Sequence, residues 1–130
     1  MAAAWAVMQH LGVDGYVGLA RTTLANADRI RAGVRAIEGL RILGDPTFHS
    51  LAIATDPESS SPTDVFALGD SLATKGWLHD RQKPPDSLHA TVSNTNADVI
   101  DEYLADLNAC ADQVRGASVT ERSTRYSAAE

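Results

Sequence analysis

The sequence predicts an α+β fold: a long N-terminal helix, then a small antiparallel sheet with helices on one face. Three observations lead there. Apolar residues recur every three or four positions from Tyr16 to Ile37, the spacing of an amphipathic helix. Four short apolar or alternating stretches follow, each bounded by Gly, Pro, Asp or Ser. Two further helical patterns sit after each pair of strands, and short loops of this kind favour antiparallel pairing with helices layered on one side. The chain divides into a connecting helix region over 1–38, a small α+β domain over 39–116 and a tail over 117–130 expected to be disordered.

The helix region opens without a start signal. Met1 to Leu11 is apolar on nearly every side, and no Ser, Thr, Asp or Asn precedes Ala2-Ala3-Ala4-Trp5-Ala6-Val7-Met8. A helix apolar all round belongs inside a larger body or against a partner. The expectation is therefore a C-terminal piece of something larger. A break at Gly12-Val13 follows, with Asp14 placed to cap a second stretch. There Tyr16, Leu19, Ala20, Thr23, Leu24, Ala27, Ile30, Val34 and Ile37 form the inner face. Arg21, Asp28, Arg31 and Arg35 form the outer one, and Gly39 is the stop.

Leu40–Leu43 reads as a strand, Gly44-Asp45-Pro46 as a turn and Phe48–Thr55 as a second strand. Asp56–Ser61 is a polar loop. Ser61-Pro62-Thr63-Asp64 then has the order of a helix start, with Ser as cap, Pro at the first position and Asp as the capping-box acid. Val65, Phe66, Leu68, Leu72 and Ala73 give that helix its buried side, and Gly76 ends it. Trp77–Lys83 is the third strand and Pro84-Pro85-Asp86 a loop. Ser87–Ser93 alternates, with Leu88, Ala90 and Val92 inward and Ser87, His89 and Thr91 outward. Thr95-Asn96-Ala97-Asp98 repeats the capping pattern before a last helix that buries Val99, Ile100, Tyr103, Leu104, Leu107, Ala111 and Val114. Gly116 ends it.

Composition narrows the function. With 130 residues the chain makes one domain and buries roughly two thirds of its unfolded surface. A net charge of −6 and 5% aromatic residues exclude a basic, stacking nucleic-acid binder. No apolar run approaches the ~20 residues that span a bilayer. Cys110 is the sole cysteine, so no intrachain disulfide forms, which fits a reducing, cytoplasmic setting.

No catalytic constellation is legible. His10, His49, His79 and His89 lack the tight spacing that makes a metal motif specific. His79-Asp80 are neighbours on a strand, where side chains alternate faces. Ser59-Ser60-Ser61 has no Gly-x-Ser-x-Gly setting, and Gly-x-Gly-x-x-Gly is absent. Asp101 and Glu102 form a solvated helix face, and Asp98 suits the positive end of the helix dipole. Cys110 packs in the last helix. Lys75 and Lys83 are the only lysines, and neither has evident neighbours that would lower its pKa for imine chemistry.

Several motifs in order carry a resemblance. Ala3-Ala4-Trp5-Ala6 through Asp14-Gly15-Tyr16, then Ile42-Leu43-Gly44-Asp45-Pro46, Asp70-Ser71-Leu72, Lys75-Gly76-Trp77, Pro84-Pro85 and Leu88-His89 resemble the C-terminal part of sphingosine-1-phosphate lyases. The resemblance covers roughly residues 2 to 115. It implies the fold-type-I arrangement of group II pyridoxal-phosphate-dependent decarboxylases and lyases, with this chain as the small domain and its connecting helix. It further implies pyridoxal phosphate in the parent enzyme, a homodimer partner and retro-aldol cleavage of a phosphorylated sphingoid base.

The family's Schiff-base lysine, phosphate-holding groups and pyridine-nitrogen acid lie upstream of the matched stretch. No catalytic, cofactor-binding or metal residue is therefore assigned here, and no cofactor is expected on this chain alone. Lys75 matches the Lys-Gly-Trp motif and not the Schiff-base lysine. The expected partners are the large cofactor domain or a homodimer partner, with no nucleic acid and no membrane span. Two other readings stay open: the same domain of an amino-acid decarboxylase, and a stand-alone α+β module that dimerises through Ala2–Val7.

Overall fold

A computed structural model describes residues 1–126 of the chain. The element order is α1 (Ala2–Ala36), β1 (Leu40–Ile42), β2 (Ser50–Thr55), α2 (Val65–Ala73), β3 (Asp80–Gln82), β4 (Ser87–Thr91), a 3-10 turn (Asn94–Val99) and α3 (Ile100–Gln113). The strands form one antiparallel sheet in the order β1-β2-β4-β3. In its register Leu40, Ile42, Leu51, Ile53, Leu88 and Arg81 share the face that meets the helices. Arg41, Ala52, Ala54, Ser87, His89 and Asp80 line the opposite face. Most of that second face is small or polar.

α1 starts as the sequence implies, with no side chain capping its first turn, and leaves helical geometry at Gly12 (φ 60°, ψ −176°). Only glycine adopts that angle without strain. The helix joins the body late. Asn26, Ala27, Ile30, Arg31 and Val34 are its buried residues, whereas Trp5, Val7, Met8, Val13, Tyr16, Val17 and Leu19 are exposed. Tyr16 and Leu19 thus continue the apolar spacing without being buried, because no element among the described residues reaches that far along the helix. Arg31 departs from the expected outer face. It is buried, donates to the carbonyls of Pro46 (2.8 Å) and Phe48 (3.0 Å) and pairs with Asp28. Asn26 likewise donates to the Ser93 carbonyl (2.9 Å).

The turn after α1 is set by Gly39 at φ +88°, where an added Cβ would lie 2.4 Å from the Ser61 carbonyl oxygen. The Gly39 carbonyl in turn accepts the N–H groups of Asp56 (2.9 Å) and Thr63 (3.3 Å). That knot fixes the entry to α2, whose cap is Asp64 and not Ser61: its carboxylate accepts from the Phe66 and Ala67 N–H groups. Before α3 the cap shifts similarly, from Thr95 to Ser93, with Asn96 completing a capping box. The inserted 3-10 turn leaves Val99 exposed rather than buried. β2, β3 and β4 are shorter than the sequence stretches assigned to them.

The core joins Ala27, Ile30 and Val34 of α1, Phe66, Leu68 and Leu72 of α2, and Ile100, Leu107, Cys110 and Ala111 of α3 to the inner sheet face. Within the tail expected to be disordered, residues 117–126 contact the body, while residues 127–130 lie outside the described ones. Val119 packs against the core. Arg122 pairs with Asp64 (2.7 Å) and Asp86 (2.5 Å), and Arg125 forms an antiparallel bridge with Arg81. Ion pairs and backbone bonds order this stretch, and an apolar periodicity test cannot register them.

Candidate functional site

Two residues of the family-like motifs, Trp77 and His89, line a half-open cleft of about 320 Å³. Ile30, Val92, Val99 and Ile100 supply apolar wall, and Trp77, His79, Asp80, His89 and Tyr103 supply polar and aromatic groups. Gly76 ends α2 at φ +91° and turns the chain so that Trp77 returns to α3. Both oxygens of Asp106 are then used: Oδ1 accepts from Lys75 Nζ (2.7 Å) and Oδ2 from Trp77 Nε1 (2.8 Å). Those hydrogen bonds from Lys75 and Trp77 hold the Asp106 carboxyl below its usual range, and Asp106 raises Lys75 in return. The Lys-Gly-Trp motif is thus a clamp between the end of α2 and α3.

Trp77 packs edge-on against Tyr103 at 5.2 Å, and Tyr103 Oη lies 3.0 Å from His79 Nε2. Burial lowers the pKa of His79, so its imidazole is neutral near pH 7 and shares a hydrogen bond with the Tyr103 hydroxyl. Burial likewise raises the Tyr103 hydroxyl far above the usual phenol value, which keeps it a donor. On the opposite sheet face His89 Nδ1 sits 3.8 Å from Asp80 Oδ2 across the β3–β4 pair. His79 lies just before β3, outside the strand pairing, and lines the same cleft as Asp80 and His89.

The remaining candidates are scattered. His10 lies on the exposed part of α1, and His49 stacks edge-on with Phe48 at 4.6 Å. Among the described residues, no group of three His, Cys, Asp or Glu could hold a metal ion. Ser60 donates to Glu38 and Ser61 accepts from Arg115, both loop contacts, and Cys110 is buried in the core. Sequence reasoning missed Asp106, Arg81 and Arg122. Only Asp106 carried a hint, through the conspicuous Lys-Gly-Trp beside which some acceptor had to stand.

The sphingosine-1-phosphate lyase of Drosophila melanogaster is 33% identical over 116 residues, 88% of this chain and 20% of that protein. The Arabidopsis thaliana enzyme of the same name is 30% identical over 88% of this chain. The solved sphingosine-1-phosphate lyase of Burkholderia pseudomallei superposes with a TM-score of 0.79 at 32% identity, covering 88% of this chain and 25% of that one. The chain belongs to the sphingosine-1-phosphate lyase-like group. It spans about one fifth of the length of the curated relatives it matches. A glutamate decarboxylase of Lactobacillus brevis shares the fold alone, with a TM-score of 0.74 at 16% identity over 89% of this chain and 28% of that one. No family model matches.

In this lyase-like chain neither lysine is placed to hold pyridoxal phosphate as an imine. An imine needs a lysine that can lose its proton in a shielded pocket. Lys75 is exposed and held charged by Asp106, and Lys83 pairs with Asp86 (3.7 Å) and donates to the Arg122 carbonyl (2.6 Å). Neither lines the cleft of His79 and Tyr103.

Proposed function

We propose that the chain is the small C-terminal domain of a pyridoxal-phosphate-dependent carbon–carbon lyase, acting on phosphorylated sphingoid bases in the cytoplasm. It is not catalytic alone. In this reading a larger part holds the cofactor, and this domain shapes the substrate entrance and stabilises the closed state, with the active site built in a homodimer. Residues 1–38 act as the connecting helix and 39–116 as the domain proper. The observation that carries the reading is the pairing of relatedness with engagement: the relatives are lyases some five times longer, and both lysines here are tied into ion pairs.

Two surfaces support it. The first half of α1 exposes Trp5, Val7, Met8, Val13, Tyr16, Val17 and Leu19, and a cluster of exposed apolar side chains marks an interaction site. The outer sheet face, bearing His89 and Asp80, has no helix layer among the described residues. Sequence identity favours the lyase over the decarboxylase, since the decarboxylase likeness is one of fold. No helix among the described residues is long and apolar enough to cross a membrane.

Borohydride trapping tests the reading. With pyridoxal phosphate and reductant, intact-mass analysis should find no site-specific adduct on Lys75 or Lys83 beyond that of an unrelated protein with exposed lysines. A stoichiometric adduct at either lysine would overturn it.

A further inference from the structure

The edge strand β3 is already paired. A bare sheet edge offers free N–H and C=O groups to any extended chain, but here the Arg81 N–H donates to the Arg125 carbonyl (2.7 Å) and the Arg125 N–H returns to Arg81 (3.3 Å). The side chains of the seated segment make charged contacts. The Arg122 guanidinium bridges Asp64, the cap of α2, and Asp86, in the β3–β4 turn, while lying 5.0 Å over the ring of Phe66. Arg125 reaches Asp70 on α2 (3.3 Å). Three carboxylates from separate places thus face two arginines three residues apart.

Arg81 also contacts the seated segment. Arg81 is buried, its Nε has no partner, and its Nη1 donates to the carbonyl of Glu121 in the seated segment (3.2 Å). On its other side it pairs with Asp70 and lies 4.9 Å over Phe66. Attachment is nonetheless mainly polar and open to solvent, with Arg122 and Arg125 keeping 37% and 55% of their side-chain exposure. Contacts of that kind are screened by salt and open more readily than buried apolar ones.

We propose that the β3 edge and the carboxylates of Asp64, Asp70 and Asp86 form a docking groove for an extended segment with two arginines three residues apart. The chain fills it in cis with its own 119–125 stretch and yields it to such a segment from another chain. This is strand addition to a sheet edge, with backbone bonds giving affinity and the arginine spacing giving selectivity. The inference stands apart from the lyase reading and survives or fails without it.

The test uses a fluorescent peptide of residues 117–126 and the full chain. In cis the tail competes at an effective concentration of roughly millimolar, so the unaltered chain should bind the peptide weakly. The Arg122→Glu, Arg125→Glu double variant should bind it at least tenfold more tightly by fluorescence anisotropy. Adding Asp64→Asn and Asp86→Asn should abolish that binding, as should replacing both peptide arginines by Gln; Asn still caps a helix, so α2 is preserved. A double variant with unaltered far-UV circular dichroism and no gain in binding would refute the groove. If that variant unfolds, hydrogen exchange of the unaltered chain decides. In 1 M NaCl the Arg81 and Arg125 amides should exchange at least tenfold faster while Ile53 holds, and uniform change or none refutes it.

Discussion

The two ends of this chain reverse the usual association of apolarity with burial. The first half of α1 is strongly apolar and stands in solvent, whereas the 119–125 stretch is polar and lies against the body. Helical periodicity states which residues would share a face; it does not state that anything meets that face. The tail is ordered by arginines whose partners, Asp64, Asp70 and Asp86, are scattered along the sequence. One end is a surface in need of cover, and the other is a cover in place.

Mutations that separate these regions should differ in kind. Phe66→Ala removes the ring on which Arg81 and Arg122 rest and empties a fully buried site. It should cost about 3–5 kcal/mol in urea unfolding, the largest effect here. Gly39→Ala should cost at least ~2 kcal/mol, since a Cβ meets the Ser61 carbonyl and φ +88° strains an L-residue; a neutral result would mean the knot before α2 relaxes freely.

Arg122→Gln tests the tail. At neutral pH it should cost about 1 kcal/mol, discounted for the arginine's partial exposure. Burial alone would raise the Asp64 carboxyl, but Arg122 and the Phe66 and Ala67 N–H groups together bring it below its ordinary value. Its folded pKa being the lower, this contribution is complete above about pH 4 and disappears on acidification below it. The variant should therefore lose less stability than the unaltered chain between pH 4 and pH 2. An identical acid limb in both proteins would remove Arg122 from the account.

His79 gives a smaller slope. Burial lowers its pKa, so the unfolded chain takes up a proton first as the pH drops, and stability falls below about pH 6.5. His79→Phe should flatten that slope, read from unfolding midpoints between pH 7 and pH 5. At the other end, Trp5→Ser with Val13→Ser should change stability by no more than ~0.5 kcal/mol, because both side chains are exposed. Self-association in sedimentation velocity should fall in the same variant.

Much of the fold was legible because its elements follow their own periodicity and turn chemistry. Gly12, Gly39 and Gly76 punctuate the chain where φ is positive, and the Leu88, Ala90, Val92 alternation places β4 correctly. What escaped depends on contacts distant in sequence. Asp64 and not Ser61 is the cap, and its second carboxylate oxygen binds Arg122 and the Val119 N–H, far along the chain. Arg31 and Arg81 are buried because loop carbonyls and Asp70 satisfy them, which no local pattern encodes. Of the cleft, His79, His89 and the Lys-Gly-Trp motif were visible, but Tyr103 and Asp106 read only as helix positions.

The most direct measurement is turnover by the purified chain, supplied with pyridoxal phosphate and a phosphorylated sphingoid base. No long-chain aldehyde should form from the chain alone, and aldehyde should appear once the lysine-bearing part of a related lyase is added. Aldehyde released by this chain unaided would contradict the assignment of the chemistry to a larger companion.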